Sequence, residues 1–166
     1  MAKTYEPIAT NTLGSNTAVV TFSSIPATYT DLVLISYIQS TAANNGTLRL
    51  NGDTTNYSWT FLSGNGTAAS SARGSNRNSI QLDNLSGPPT SGSTYQIYIT
   101  NIMNYANATT YKTVISRSGL ASQATEAVVG LWRATPAAVT SLSIQIDVSG
   151  SVLAGSIFTL YGIKSA

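Results

Sequence analysis

Hydrophobic and polar positions alternate with a period of two along most of this chain, which is the spacing of side chains across a β-strand. The alternation is cleanest over 140–148: Leu142, Ile144, Ile146 and Val148 face one way, and Ser141, Ser143, Gln145 and Asp147 the other. Over 57–61 three aromatics, Tyr57, Trp59 and Phe61, share one face, with Ser58 and Thr60 opposite. Further strands are predicted at 18–22, 47–50 (Leu48 and Leu50 inward, Arg49 outward), 95–102, 111–117 and 124–133, and a weak one at 78–85. In the segment 95–102, Tyr95, Ile97 and Ile99 share a face; in 124–133, Val129 and Leu131 oppose Val128 and Trp132. Two segments are apolar on both faces, 31–40 (Leu32 and Leu34 against Val33 and Ile35) and 156–163. A strand of that kind belongs between two layers, or between a sheet and a partner subunit.

Turn signals separate these segments. Asn11 to Asn16, Asn45-Gly46, Asn51-Gly52-Asp53, Pro136 and Ser149-Gly150 break the pattern at short intervals. Two stretches read as long surface loops. Residues 63–77 hold three glycines and no large apolar side chain, with a short helical turn possible near 68–73; residues 86–93 contain Pro88-Pro89. Residues 3–10 include Glu6-Pro7 and read as an extended arm or an edge strand, because proline cannot donate to a ladder. About ten strands with frequent turns and no amphipathic helix predict an all-β fold, an antiparallel β-sandwich of jelly-roll type with about 8–10 strands. The predicted organisation is an N-terminal arm over 1–16 and one sandwich domain over 17–166, a length that suits a single core.

Composition narrows the chemistry. The 166 residues include no Cys and no His, which removes disulfides, thiol chemistry, imidazole acid–base catalysis and the usual zinc sites. Charged residues are 8% of the chain, and Ser, Thr and Asn together exceed a third of it. The basic residues Arg49, Arg73, Arg77, Lys112, Arg117 and Arg133 are scattered, unlike a nucleic-acid groove. No apolar run approaches the length of a membrane span, and the first twelve residues lack the apolar region of a signal peptide. Asp31, Glu126 and Asp147 are the carboxylates in or beside strands, but Asp147 alternates outward among Ser and Gln, and Asp31 sits at a turn–strand junction. Asn51-Gly52-Asp53 is a hairpin turn before it is a calcium site, which would want more carboxylates. The expectation is no catalytic residue, no metal and no cofactor.

Four stretches, 22–34 (FSSIPATYTDLVL), 48–66 (LRLNGDTTNYSWTFLSGNG), 127–145 (AVVGLWRATPAAVTSLSIQ) and 155–164 (GSIFTLYGIK), taken in order, resemble a group of tailed-bacteriophage virion proteins common in cyanophages. Members are structural proteins, head decoration proteins or tail-fibre modules. The resemblance implies a jelly roll that often trimerises and a place on the virion, most simply the outer surface of the capsid. Fibre members carry a stalk, whereas about sixteen residues precede the domain here, so the expectation is a decoration (cement) protein whose partner is the major capsid protein. The alternative is a fibre module that binds host glycan.

On these grounds the candidate subunit interface is Ile35, Tyr37, Tyr98 and Trp132, the last two taken as outward anchors. The candidate capsid-anchoring arm is Lys3, Tyr5, Glu6, Pro7 and Ile8. The candidate binding loops of the alternative reading offer Asn65, Arg73, Arg77, Pro88 and Pro89. Neither a nucleic acid nor a membrane is expected as a partner.

Overall fold

The computed structural model of the chain describes residues 4–85 and 87–164. It is an antiparallel β-sandwich with no helix among the described residues. Twelve strands follow in order: β1 Tyr5–Thr12, β2 Val19–Phe22, β3 Asp31–Ile38, β4 Gly46–Leu50, β5 Tyr57–Gly64, β6 Ala69–Arg77, β7 Ile80–Gln81, β8 Gln96–Met103, β9 Lys112–Leu120, β10 Ala124–Trp132, β11 Leu142–Ile146 and β12 Ile157–Ile163. One sheet has eight strands in the order β1-β12-β3-β8-β9-β10-β5-β6, and the other has four, β2-β11-β4-β7.

The pairing is nested. The first strand pairs with the last (β1 with β12), β2 with β11, β3 with β8 and β4 with β7. Two hairpins, β5–β6 and β9–β10, stand outside this nest and extend the large sheet on one side. The core lies between the sheets. It is built from Leu32, Leu34 and Ile38 of β3, Leu48 and Leu50 of β4, Tyr57, Trp59 and Phe61 of β5, Ile144 of β11, and Phe158 and Leu160 of β12. Both two-sided apolar strands, β3 and β12, lie inside the large sheet and are adjacent, with β12 next to the edge strand β1.

Several expectations change. Of the two readings of the N-terminal segment, arm or edge strand, the second describes residues 5–12: they form β1, an edge strand on β12, where Pro7 is tolerated beside an irregularity in register and Glu6 pairs with Lys164 at 2.9 Å. Lys3 lies outside the described residues. Most of the predicted 63–77 loop is strand, the distal arm of the β5–β6 hairpin. It has no apolar signal because the smaller sheet does not cover it, so every residue but Gly74 is exposed. Gly74 lies under the Trp59 indole, where a side chain would collide with the ring. The predicted helical turn near 68–73 is absent. Val148 is not a core residue: it follows β11 at φ 62° and is exposed.

Candidate functional site

The register of the large sheet fixes what its outer face carries. Tyr37 pairs with Ile157 and Ile97, Ile35 with Ile99, Ile99 with Arg117, Ile115 with Val129, and Ala127 with Leu62. These side chains share one face from β12 across to β5, because paired residues lie on the same side of a sheet. Tyr37, Ile97, Ile115, Val129, Ile157 and Leu62 are all exposed. In these six strands the only charges on that face are Arg117 and, at the start of β3, Asp31, whose Oδ1 accepts the Asn104 N–H at 2.5 Å.

Polar groups interrupt the apolar inner face of the same strands. Gln96, Thr100, Lys112, Ser116, Ser118 and Glu126 are buried there. A transverse row of polar groups, Ser36, Tyr98, Ser118, Glu126, Ser63 and Ser70, runs across the inner face from β3 to β6. Thr100 and Ser116 bond each other at 2.8 Å. The Lys112 ammonium donates to the carbonyls of Asn107 and Thr110, both at 2.6 Å, and its burial pushes its pKa down.

Two of the four interface candidates belong to this interior. Tyr98 is fully buried and donates its hydroxyl to Asp83 Oδ2; Trp132 is buried, stacks on Tyr57 with centroids 6.4 Å apart, and donates its indole N–H to Asp53 at 2.7 Å. Neither is an outward anchor. Alternation told correctly which residues share a face with them, but on β8 and β10 the face with the more polar neighbours points inward. Ile35 and Tyr37 do lie on the outer face. The sequence reading missed Ile115, Val129 and Leu62 as their companions; the signal was already there, since Ile97 and Ile99 alternate with the buried polar set and Val129 opposes Trp132.

The buried carboxylates are committed to structure. Asp83 Oδ2 also accepts the Gly46 N–H at 3.0 Å, and Glu126 accepts the N–H groups of Asn84 and Leu85 at 2.7 and 2.9 Å. Burial pushes the Asp83 pKa up to about 8, helped by the nearby Glu126 charge and opposed by its two hydrogen bonds. Asp31 and Asp147 accept backbone N–H groups, of Asn104 across the fold and of the adjacent Val148 respectively. Among the described residues no three His, Cys, Asp or Glu side chains gather as a metal site.

The turn at Asn51-Gly52 has φ 53° and 69°, the left-handed pair expected of a tight hairpin turn. Asn51 Oδ1 accepts the N–H groups of Thr140 and Ser141 at 2.8 and 3.2 Å. Burial acts to raise the Asp53 pKa, but hydrogen bonds from the Trp132 indole and from Thr55 outweigh it, and the net effect is a lowered value. Replacing Asp53 by alanine is expected to cost about 1–3 kcal/mol, the penalty of leaving the buried Trp132 N–H unpaired. Urea unfolding of D53A beside D53N checks this, since D53N keeps an acceptor and should lose less.

The candidate loop residues are likewise occupied. Asn65 Oδ1 accepts the N–H groups of Thr67 and Ala68 and closes the β5–β6 turn. Arg77 lies over the Trp59 ring at 5.9 Å, whereas Arg73 is exposed opposite Thr60. Pro88 is buried, and the carbonyls of Pro88 and Pro89 accept from the Ser40 hydroxyl and N–H at 3.2 and 3.0 Å. The loop after Ser86 and the β5–β6 tip do reach the same end of the sheet, since Ile97 pairs with Gly119, Gly119 with Thr125 and Thr125 with Gly64. Beside the β5–β6 tip lies a shallow trough of about 640 Å³, with Ile97, Ile99 and Leu120 among its apolar lining and Arg117 as its charge.

No protein-family model matches the chain, and no curated protein matches it.

Proposed function

We propose that this chain is a non-enzymatic structural protein of a tailed-bacteriophage virion, a jelly-roll decoration protein that sits on the outer capsid as a homotrimer and bridges neighbouring coat subunits. The observation that carries the reading is the outer face of the large sheet. An exposed face with several large apolar side chains and few charges in its strands suits a protein that acts through buried area and shape rather than through steering or chemistry. The nested pairing of β1 with β12, β2 with β11, β3 with β8 and β4 with β7 supports the jelly-roll description, with β5–β6 and β9–β10 as added hairpins.

The first and last of the stretches behind the resemblance meet in the fold. Tyr29, from the first, packs on Gly162, from the last; its hydroxyl donates to Glu6 at 3.3 Å, and Lys164 stands 5.7 Å above its ring.

A second reading, a host-recognition module that binds glycan, is favoured by one feature: the trough beside the β5–β6 tip, with an apolar floor and one arginine. Copy number separates the two. Quantitative mass spectrometry of purified virions is expected to find tens to hundreds of copies per particle; a handful would favour the fibre module.

A further inference from the structure

We propose that the free edge of β6 docks an extended, acidic segment of another protein, which adds to the large sheet as a ninth strand. This edge lies beside the apolar stripe of the outer face, and its occupancy is independent of any place on a virion.

The sandwich has four edge strands, β1 and β6 in the large sheet and β2 and β7 in the small one. An open edge presents unpaired N–H and C=O groups to any other strand, and proteins usually guard it by shortness, by proline or by a break in register. Three of the four edges are guarded in that way. β7 has two residues and β2 four. β1 carries Pro7, which has no N–H to give, beside an irregularity in its register. β6 is nine residues long and has no proline. Its ladder to β5 runs unbroken from Ala69 opposite Gly64 to Gly74 opposite Trp59. Every residue but Gly74 is exposed, so nothing among the described residues covers the strand.

Charge selects the occupant. Arg73 faces outward, since it pairs with the exposed Thr60, and it shares a recess of about 260 Å³ with Arg133, Ser58, Thr60 and Ser75. Among the described residues no carboxylate borders that recess. The carboxylates of the chain are engaged elsewhere: Glu6 with Lys164, Asp31 with the Asn104 N–H, Asp53 with Trp132, Asp83 with Tyr98, Glu126 with the Asn84 and Leu85 amides, and Asp147 with the Val148 N–H. Arg77 lies over Trp59 and shares a smaller recess with Asp147, which leaves Arg73 and Arg133 as the uncompensated cations beside this edge. In a strand added to β6, every second side chain would stand on the Arg73 face. Asp or Glu at those positions would meet Arg73 and, through the recess, Arg133, while main-chain hydrogen bonds hold the strand.

A second copy does not fit. Antiparallel pairing of two β6 strands over their full length would set Arg73 against Arg73, and like charges directly opposite are destabilising. Nor can another part of this chain supply the segment, because its acidic residues stand singly along the sequence.

Fluorescence anisotropy with the full chain tests this, using a labelled ten-residue peptide that alternates Glu with Val and Thr, and the same peptide with Lys in place of Glu. The acidic peptide is expected to bind saturably and to slow amide hydrogen exchange in β6; the basic one is expected not to bind. Arg73→Glu and Arg133→Glu should each weaken binding by about 10-fold. Arg117→Glu, on the same face but on β9, should leave it unchanged. If Arg73→Glu fails to fold, Arg133→Glu decides. No saturable binding at hundreds of micromolar overturns the proposal, as does equal binding of the basic peptide or binding without protection of β6. Oligogalacturonate bound through the same arginines, with β6 amides still exchanging freely, would assign them to an acidic glycan instead and overturn strand addition. None of these outcomes bears on whether the protein coats phage heads.

Discussion

Gly162→Ala is expected to lower the melting temperature by roughly 10 °C, the effect of about 3 kcal/mol in a chain of this size. A β-carbon at Gly162 would lie 2.2 to 2.4 Å from three carbons of the Tyr29 ring, far inside contact distance. The clash is at the root of the ring, so a small rotation does not relieve it. Tyr29 would have to leave, and with it its bond to Glu6 and the stacking under Lys164. That cluster ties β1 to β12 and to the loop that leads into β3, where the Thr30 N–H donates to the Ile163 carbonyl at 2.8 Å. The test is a double-mutant cycle by thermal unfolding. Tyr29→Ala should cost clearly less in the Gly162→Ala background than in wild type, because the ring is already displaced. Gly14→Ala serves as control, since nothing lies within 4 Å of its added carbon. Additive losses would mean that Tyr29 and Gly162 are not packed as described.

The second large effect is with pH. In the unfolded chain Asp83 ionises near its ordinary value of 3.8; in the fold it does so only at about 8, because burial and the neighbouring Glu126 charge penalise its carboxylate. Between those values the folded protein holds the extra proton, so stability falls as pH rises. The contribution of Asp83 is fully present below 3.8, declines across the interval and is gone above about 8, a change on the order of several kcal/mol. The Tyr98 hydroxyl, whose own pKa is raised by burial and by Asp83, adds a loss in the same direction at still higher pH. Asp83→Asn keeps an oxygen for Tyr98 and Gly46 and removes the titration. Urea unfolding at pH 5, 7 and 9 should show wild type losing stability steadily and the variant staying nearly flat, so that the two curves cross. Parallel curves would contradict the assignment.

The sandwich itself was readable in the alternation at 57–61 and 142–146, in the Asn51-Gly52 turn, and in the two-sided strands that became β3 and β12. Those signals are local and survive in any packing. The misses share one physical origin. Alternation says which residues share a face, not which face is covered. Polar neighbours on their faces suggest an outward place for Tyr98 and Trp132, yet those faces line the core, where bonds such as Tyr98 to Asp83, which only the folded chain brings together, hold buried polar groups. The strand β6 was invisible because an edge strand exposed on both faces needs no hydrophobic residue. Tyr105, outside every predicted strand, is fully buried because its hydroxyl finds the Pro26 carbonyl and the Tyr29 N–H across the fold. Of the candidate site, Ile35 and Tyr37 were found from sequence, but the extent of their face became visible only once the strand order was known.

The most direct measurement of the proposed role is immunogold labelling of intact virions with an antibody to this chain, counting grains on head and tail. The decoration reading predicts dense label over the whole head. Label confined to the tail tip or to sparse projections would contradict it, and would turn attention to the trough between the β5–β6 tip and Leu120 as a receptor-binding surface.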